Sequence, residues 1–440
     1  MKTIFIKDII EAKYGSNIEI FGWIKSKRVL GGIAFLDIVD STGEIEINLK
    51  KEILGSKLFL QASKITEESA VKISGILENN KRKNKKQISA HKFEIINEAK
   101  LKITPLPRSD FDIFSPSLTD HILTNKHLFL RNPKIISIIK LKSILFEIIR
   151  DYFRSQKFVE VNTPIITQST LYEDDATFSV DYFGVKTYLS QCAGLYLGAA
   201  VPALEKVYTI TPAFRAQPSR SPRHNPEFYH AKAQIAFCDL DEIMKFTENM
   251  IYYCGINFIK LGEEELKNLN IDLNITKIKP PYPKITYTEA LKILKKRGVL
   301  LKWGKSLNEM SEKIIGEEFK KPVFITGMPR KVEPFPYALD PKNSKITMTA
   351  DLLAPDGYGE ILGVAEFIYN FNEILERFGE TDKHKQNERF KWYIDLMQYG
   401  NVPHSGFGLG IERLLRWFIK LPHVRDAFAF PRLYHRFPYP

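Results

Sequence analysis

Gly406-Phe407-Gly408-Leu409-Gly410-Ile411-Glu412-Arg413 is the stretch from which the fold of this chain is read. Glycine at every second position makes a poor strand core, because each one gives up side-chain packing and backbone order. Such a row is kept where something must lie flat against the backbone. The period then changes, and Leu414, Leu415, Trp417 and Phe418 fall at helical spacing. A glycine strand feeding a helix that carries Arg413 suits a planar base and its phosphates, since guanidinium grips phosphate oxygens in pairs.

Two upstream segments carry related chemistry. Asp351 and Glu360 flank the Pro355-Asp356-Gly357 turn, so they are expected to face each other across a hairpin. Paired carboxylates plus phosphate oxygens are a usual way to hold Mg²⁺. Between the strands expected at Val207–Ala216 and Glu227–Phe237 lies a loop with Arg215, Arg223 and His224, followed by Phe228. Arg215 suits a triphosphate and its transition state, and Phe228 suits a stacked base.

Working outward, the chain from residue 127 mixes helix and strand. Pro133–Arg154 reads as one amphipathic helix, and Phe158–Ile166 as a strand ended by Pro164. Irregular alternation with hairpin pairs predicts an antiparallel sheet flanked by helices, an α+β domain over 127–440. No Walker loop or Gly-x-Gly-x-x-Gly joins a strand to a helix, which disfavours the parallel nucleotide folds.

Residues 1–100 alternate in short runs split by Gly31-Gly32 and Ser41-Thr42-Gly43, the pattern of a five-strand OB-type barrel. Such barrels stack single-stranded bases on aromatic residues over a basic groove. Arg28 is a groove candidate. Phe35 is either a stacking platform or core, and Lys81–Lys86 is either a solvated tip or a phosphate contact. The Pro-, Ser- and Asp-punctuated stretch 101–126 reads as a linker.

Charge points the same way. Lys and Arg number 64 against 52 Asp and Glu, a net +12 that favours a polyanionic partner. The three cysteines are spaced for neither a disulfide framework nor zinc, there is no bilayer-length apolar run, and Asp8 comes too early for a signal peptide; a cytoplasmic protein is expected.

These segments resemble motifs 2 and 3 of class II aminoacyl-tRNA synthetases, and Phe158–Pro164 resembles motif 1. The resemblance is strongest to the Asp, Asn and Lys subgroup, and within it to the asparaginyl enzymes. It is carried by Lys302-Trp303-Gly304, Asp351–Glu360, Trp392–Leu396, Tyr399–Arg413, Val424-Arg425-Asp426 and Phe430-Pro431-Arg432, and runs nearly end to end. It implies ATP- and Mg²⁺-dependent adenylate formation with loss of pyrophosphate. Arg215 would hold the α-phosphate and the acyl carboxylate. Arg223 and His224 would meet the outer phosphates. Phe228 would stack on adenine, Arg413 would bind the γ-phosphate and lie against adenine, Gly410 would belong to the ATP site, and Asp351 and Glu360 would take Mg²⁺. It also implies tRNA as acceptor and a homodimer built on motif 1, with Pro164 at the interface.

The departures from that family gather around the amino-acid pocket. In Gln191-Cys192-Ala193-Gly194-Leu195-Tyr196-Leu197-Gly198, Gly194 stands for a Gln and Gly198 for an acid. Lys232 and Gln234 stand where the family carries acids, Phe367 where it has the Arg that grips the amino-acid side chain, and Gln217 where it has Glu. In the barrel, Glu46 replaces a Gln that reads an anticodon base. The expectation is an asparaginyl-like ligase that activates a different amino acid or related carboxylic acid. The alternatives are a tRNA-independent amide-forming ligase and a non-catalytic RNA-binding paralogue.

Overall fold

Strict alternation is what closes the N-terminal strands. In the computed structural model, β1 (Asn17–Leu30), β2 (Ile33–Val39), β3 (Glu44–Lys50), β4 (Ala70–Asn80) and β5 (Lys85–Asn97) form a closed barrel in the order β1-β2-β3-β5-β4. Every second side chain points inward: Ile18, Ile20, Leu36, Ile38, Ile47, Leu49, Ile73 and Ile88 are buried. The structure describes all residues except 1, 3, 81–83, 169–175, 220, 381–387, 435 and 437–440, and omits the side chain of residue 10. Half of the expected basic tip, residues 81–83, therefore lies outside the described residues. The chain divides into two compact units, residues 1–112 and 113–440. Within the stretch expected as linker, Pro116–Thr124 is helical.

The second unit is built on an eight-stranded sheet. Its strands are β6 (Val159–Glu160), β10 (Lys206–Phe214), β11 (Glu227–Ala236), β12 (Lys284–Thr286), β13 (Val323–Thr326), β16 (Thr349–Ala354), β17 (Gly359–Phe367) and β18 (His404–Gly410). The order is β12-β13-β16-β17-β18-β11-β10-β6. All neighbours pair antiparallel except the two edge pairs, β12 with β13 and β6 with β10. Two small sheets lie beside it, β7 (Ile166–Thr167), β8 (Ser179–Tyr182) and β9 (Val185–Leu189), and the pair β14 (Leu339–Asp340) and β15 (Asn343–Thr347).

One expected element is corrected. The strand expected over Phe158–Ile166 is two short strands in different sheets, β6 and β7. Pro164 has no N–H to give a ladder, so the run cannot stay paired through it. The helix at Pro133 runs to Ser155, capped by the Asn132 side chain.

Alternation also explains the glycine run. On β18, Phe407 and Leu409 are buried on one face, where Phe407 stacks with Phe153 of the helix Pro133–Ser155 at 6.1 Å. Gly406, Gly408 and Gly410 occupy the other face. That face is left open by its own sequence.

Candidate active site

Register fixes what surrounds the glycines. Asp351 pairs with Gly363, Gly363 with Gly408, and Gly408 with Lys232. One rung further, Thr349, Ala365, Gly406 and Gln234 pair in the same way. The outer members of each rung are three strand spacings apart, roughly 14 Å. The sheet thus carries a trough floored by glycine and alanine. Its acidic wall is on β16 and its Lys232 and Gln234 wall on β11. The far end is shut by Phe367, whose ring stacks on His404 at 4.9 Å with 2° between planes.

Glu360 reaches this face through a bulge. Leu352 pairs with Leu362 but Leu353 pairs with Glu360, so Ile361 is the extra residue. A Cβ placed on Gly363 would lie 3.3 Å from Asp351 Oδ1 and 3.9 Å from Glu360 Oε1. Asp351 and Glu360 are therefore not cross-strand partners, as the hairpin reading expected, yet both carboxylates overhang the same glycine.

The end of the trough at Gly410 is crowded with charge. Arg215, Arg223, His224, Phe228, Glu360, Gly410 and Arg413 line one cavity of about 50 Å³. Every residue expected to serve ATP is brought together there. The Arg215 guanidinium lies 5.6 Å from the Phe228 ring centre. Arg413 Nη1 donates to Glu360 Oε2 at 2.9 Å and to the Glu360 carbonyl at 3.1 Å. The loop between β10 and β11 is pinned by its own polar groups: the Arg223 amide donates to Ser221 Oγ at 3.3 Å, and the Arg215 amide to the Pro226 carbonyl at 2.8 Å.

Three functional groups here were missed by sequence reasoning. Glu312, on the helix Glu309–Glu317, pairs with Arg223 where both are over nine-tenths buried, and accepts the Glu360 amide at 2.8 Å. Glu412, the neighbour of Arg413, accepts the Tyr229 amide at 3.0 Å and pairs with Lys142 at 2.7 Å, fixing the start of β11. Glu333 comes from a proline-rich loop with no local signal. Only Glu412, inside the opening motif, could have been found.

The carboxylates pull one another's protonation apart. Burial drives Asp351 well above the carboxylate range, helped by Glu360, Glu333 and Glu312. Burial pushes Glu360 up too, but Arg413, Arg223 and Arg215 prevail and hold it below its ordinary value. Burial and the Glu360 charge raise Glu333 to about 7. Burial lowers His224 to about 4, with Arg413, Arg223 and Arg215 adding to it, so the ring is neutral at pH 7. Burial, Lys232 and Arg215 likewise keep His230 neutral.

The second cavity, of about 220 Å³, shares Arg215, His230, Glu360 and Gly408 with the first. Gly194, Lys232, Gln234 and Phe367, four of the six residues expected at the acyl pocket, line it. Gln191 and Gly198 do not. Gln191 is turned to the backbone, donating to the Ala176 carbonyl at 3.1 Å. Gly198 lies behind the wall, where a Cβ would stand 3.3 Å from Tyr393 and 3.5 Å from Gln234 Oε1. Lys232 Nζ donates to Cys192 Sγ at 2.7 Å, and Gln234 Nε2 to the Gly194 carbonyl at 2.9 Å.

In the barrel, Arg28 pairs with Phe35 across β1 and β2, its guanidinium 5.7 Å from the ring centre. Arg28 also meets Glu46 at 2.8 Å, and Asn80 donates to Glu46 at 2.8 Å. Phe35 is only half-buried while Ala34 and Leu36 point inward, so it belongs to the outer face.

The family model for class II tRNA synthetases (D, K and N) matches residues 119–434, and that for the OB-fold nucleic acid binding domain matches 18–96. The chain belongs to the class II tRNA synthetases of the D, K and N group. Among the members of this family, the asparagine–tRNA ligase of Thermoplasma acidophilum is 36% identical over 97% of each chain, and that of Pyrococcus abyssi 36% over 98% of each. The asparaginyl-tRNA synthetase from Pyrococcus horikoshii, solved with asparaginyl-adenylate, superposes with a TM-score of 0.93 at 35% identity, covering all of both chains. As a class II synthetase this protein is a ligase, and the adenylate held by that relative implies use of ATP. Among the described residues, no helix is long and apolar enough to cross a membrane, and no group of three or more His, Cys, Asp or Glu side chains is placed to hold a metal ion.

Proposed function

We propose that this synthetase forms the adenylate of an acid other than asparagine and transfers the acyl group to a tRNA. One observation carries the reading. The cavity lined by the side chains expected to serve ATP shares Arg215 and Glu360 with a second cavity lined at its far end by Phe367, whose ring stacks on His404, and not by a guanidinium. Replacing Arg by Phe removes five donors, and a site built for a polar substrate loses orders of magnitude when its partners go.

In this reading Phe228 and Arg413 hold the two faces of adenine. Arg215, reaching into both cavities, neutralises the α-phosphate and the incoming carboxylate together. Arg223 and neutral His224 donate to the outer phosphates. Catalysis is in-line positioning and charge stabilisation, with no covalent enzyme intermediate. Asp351 and Glu360 fit Mg²⁺: two carboxylates converge over Gly363, and phosphate oxygens would complete the shell. The ion would supply charge neutralisation between the phosphates.

The Arg28, Phe35 and Glu46 cluster supports a nucleic-acid face on the barrel, with an acid where a base edge would be read. Val159, Ile165 and Ile166 are large apolar side chains left exposed, which supports a homodimer through that segment. The test is ATP–pyrophosphate exchange over a panel of acids, with and without tRNA. Exchange with a non-asparagine acid is expected; exchange with asparagine alone refutes the reading.

A further inference from the structure

The β11 wall of the trough limits what can sit on the carbon next to the reacting carboxyl. His230, Lys232 and Gln234 alternate along β11, and all three line the acyl cavity. His230 is level with Gly410, at the nucleotide end, and Lys232 is level with Gly408, two residues further in. Two residues of strand are about 7 Å, enough to pass from the phosphate end to the second carbon of a bound acid.

At that level Lys232 lies across the trough floor. A Cβ on Gly408 would stand 2.6 Å from Lys232 Cε and 3.3 Å from Nζ, so the side chain rests on the glycine and cannot retreat into the sheet. Gly194 borders the same wall: a Cβ there would be in ordinary contact with Lys232 Nζ at 3.7 Å and Gln234 Nε2 at 4.0 Å, and Lys232 Nζ donates to Cys192 Sγ at 2.7 Å, which holds the ammonium in place. Lys232 is 9% exposed, so this ammonium is held in a poorly solvated place. An ammonium has three donors and no acceptor. A 2-ammonium group on the substrate is the same kind of group, and two of them about 4 Å apart repel without any hydrogen bond to offset it. Of the carboxylates that line the cavity, Asp351 and Glu360 are assigned above to Mg²⁺ and phosphate, and Glu333 has its carboxyl raised to about 7 by burial and the Glu360 charge, which weakens it as a counter-charge. Deeper in, Gln234 Oε1 has no hydrogen-bond partner among the described residues although the residue is 2% exposed, and Phe367 closes the end.

We propose that Lys232 is a specificity-determining residue, and that the acid activated here carries an oxygen acceptor at its second carbon, as a 2-hydroxy or 2-oxo acid does, in place of an amino group. The proposal rests on the reading that the acid is not asparagine, and goes beyond it by fixing the class.

The experiment is ATP–pyrophosphate exchange on the full-length enzyme with acids matched in carbon skeleton. One series is L-malate, oxaloacetate, succinate and L-aspartate. The other is 3-phenyllactate, phenylpyruvate, 3-phenylpropionate and L-phenylalanine. L-asparagine is the control. The expected result is that a 2-hydroxy or 2-oxo member exceeds its 2-amino counterpart by about a hundredfold or more in kcat/KM, the scale of an unpaired buried charge. Lys232→Met, which keeps the chain length and removes the donors, should abolish that preference and leave the KM for ATP within about twofold; thermal unfolding checks that the variant folds. Preference for a 2-amino acid other than asparagine would overturn this proposal and leave the proposed function standing. Exchange with asparagine alone would overturn both. Exchange with no member of either series, or an unchanged preference in Lys232→Met, would also overturn it.

Discussion

Removing Glu312 tests whether the nucleotide site is pre-assembled. Its carboxylate pairs with Arg223, with both side chains over nine-tenths buried, and accepts the Glu360 amide at 2.8 Å. Glu312→Ala strands a desolvated guanidinium and an amide at once. Stranding one partner of a buried pair costs about 3–5 kcal/mol. For the unit 113–440, an unfolding entropy of about 2.1 cal/mol/K per residue makes each kcal/mol worth about 1.5 °C, so the expected fall in Tm is about 6 °C. A triphosphate would bring back negative charge beside Arg223, so saturating ATP should raise the Tm of Glu312→Ala more than that of the parent. Glu312→Gln keeps an acceptor for the amide and should fall between the two. The assay is a thermal melt with and without ATP and Mg²⁺. A Glu312→Ala melt within about 1 °C of the parent would mean that Arg223 is not desolvated, and equal gains from ATP would mean that Arg223 does not meet its phosphates.

Two neighbouring glycines should fail differently. In Gly406→Ala the new Cβ meets the Ala233 carbonyl at 2.6 Å, which cannot move, so a loss of about 1–3 kcal/mol in urea unfolding is expected. In Gly408→Ala it meets only the movable end of Lys232, so stability should change by less than about 1 kcal/mol while use of the acid falls at least about tenfold. His224 has its folded value depressed to about 4, so its contribution to stability is full above the unfolded 6.5 and is lost as pH falls from there towards 4; its ring C–H shifts in NMR should be flat above pH 6 and should begin to titrate higher once ATP is bound. In the barrel, Arg28→Ala with Phe35→Ala should weaken tRNA binding about tenfold and reduce its salt slope by about one, and an unchanged slope would take this face out of nucleic-acid contact.

The residues expected to serve the nucleotide do gather around one cavity, and their grouping was legible because its signals are local. Glycines at 406, 408 and 410 with Arg413 three residues on, and Arg215, Arg223 and His224 in one loop followed by Phe228, suggest a flat floor and a phosphate cradle without knowledge of the fold. The barrel was legible for the same reason, since alternation and turn residues are short-range signals. Glu312 and Glu333 could not be read this way. Glu312 sits on an amphipathic helix like many others, and only the long-range pairing with Arg223 singles it out. The bulge at Ile361 was equally invisible, although it is what turns Glu360 onto the face of Asp351. Gly198 was expected in the pocket because it stands where the family carries an acid. In the structure Tyr393 and Gln234 stand over it and separate it from the cavity.

The acyl pocket predicts a coupling between its two walls. Phe367→Arg alone would put a guanidinium at the closed end of a cavity that already holds Arg215 and Lys232, in place of a ring stacked on His404. A third cation with no new carboxylate carries a desolvation penalty and gains little. Lys232→Glu alone would supply an acceptor for an amino group but leave the apolar end, so the asparagine amide would still be buried without partners. Together, the guanidinium gains a counter-charge in the cavity and the substrate gains both ends of its recognition. Asparagine-dependent pyrophosphate exchange should therefore stay near background in each single variant and rise at least about tenfold in the double, a positive interaction of roughly 1.4 kcal/mol or more in a double-mutant cycle. Equal gains from the singles that simply add would place the two residues in separate sites. No gain in the double, with folding intact, would show that Phe367 and Lys232 are not what turns asparagine away.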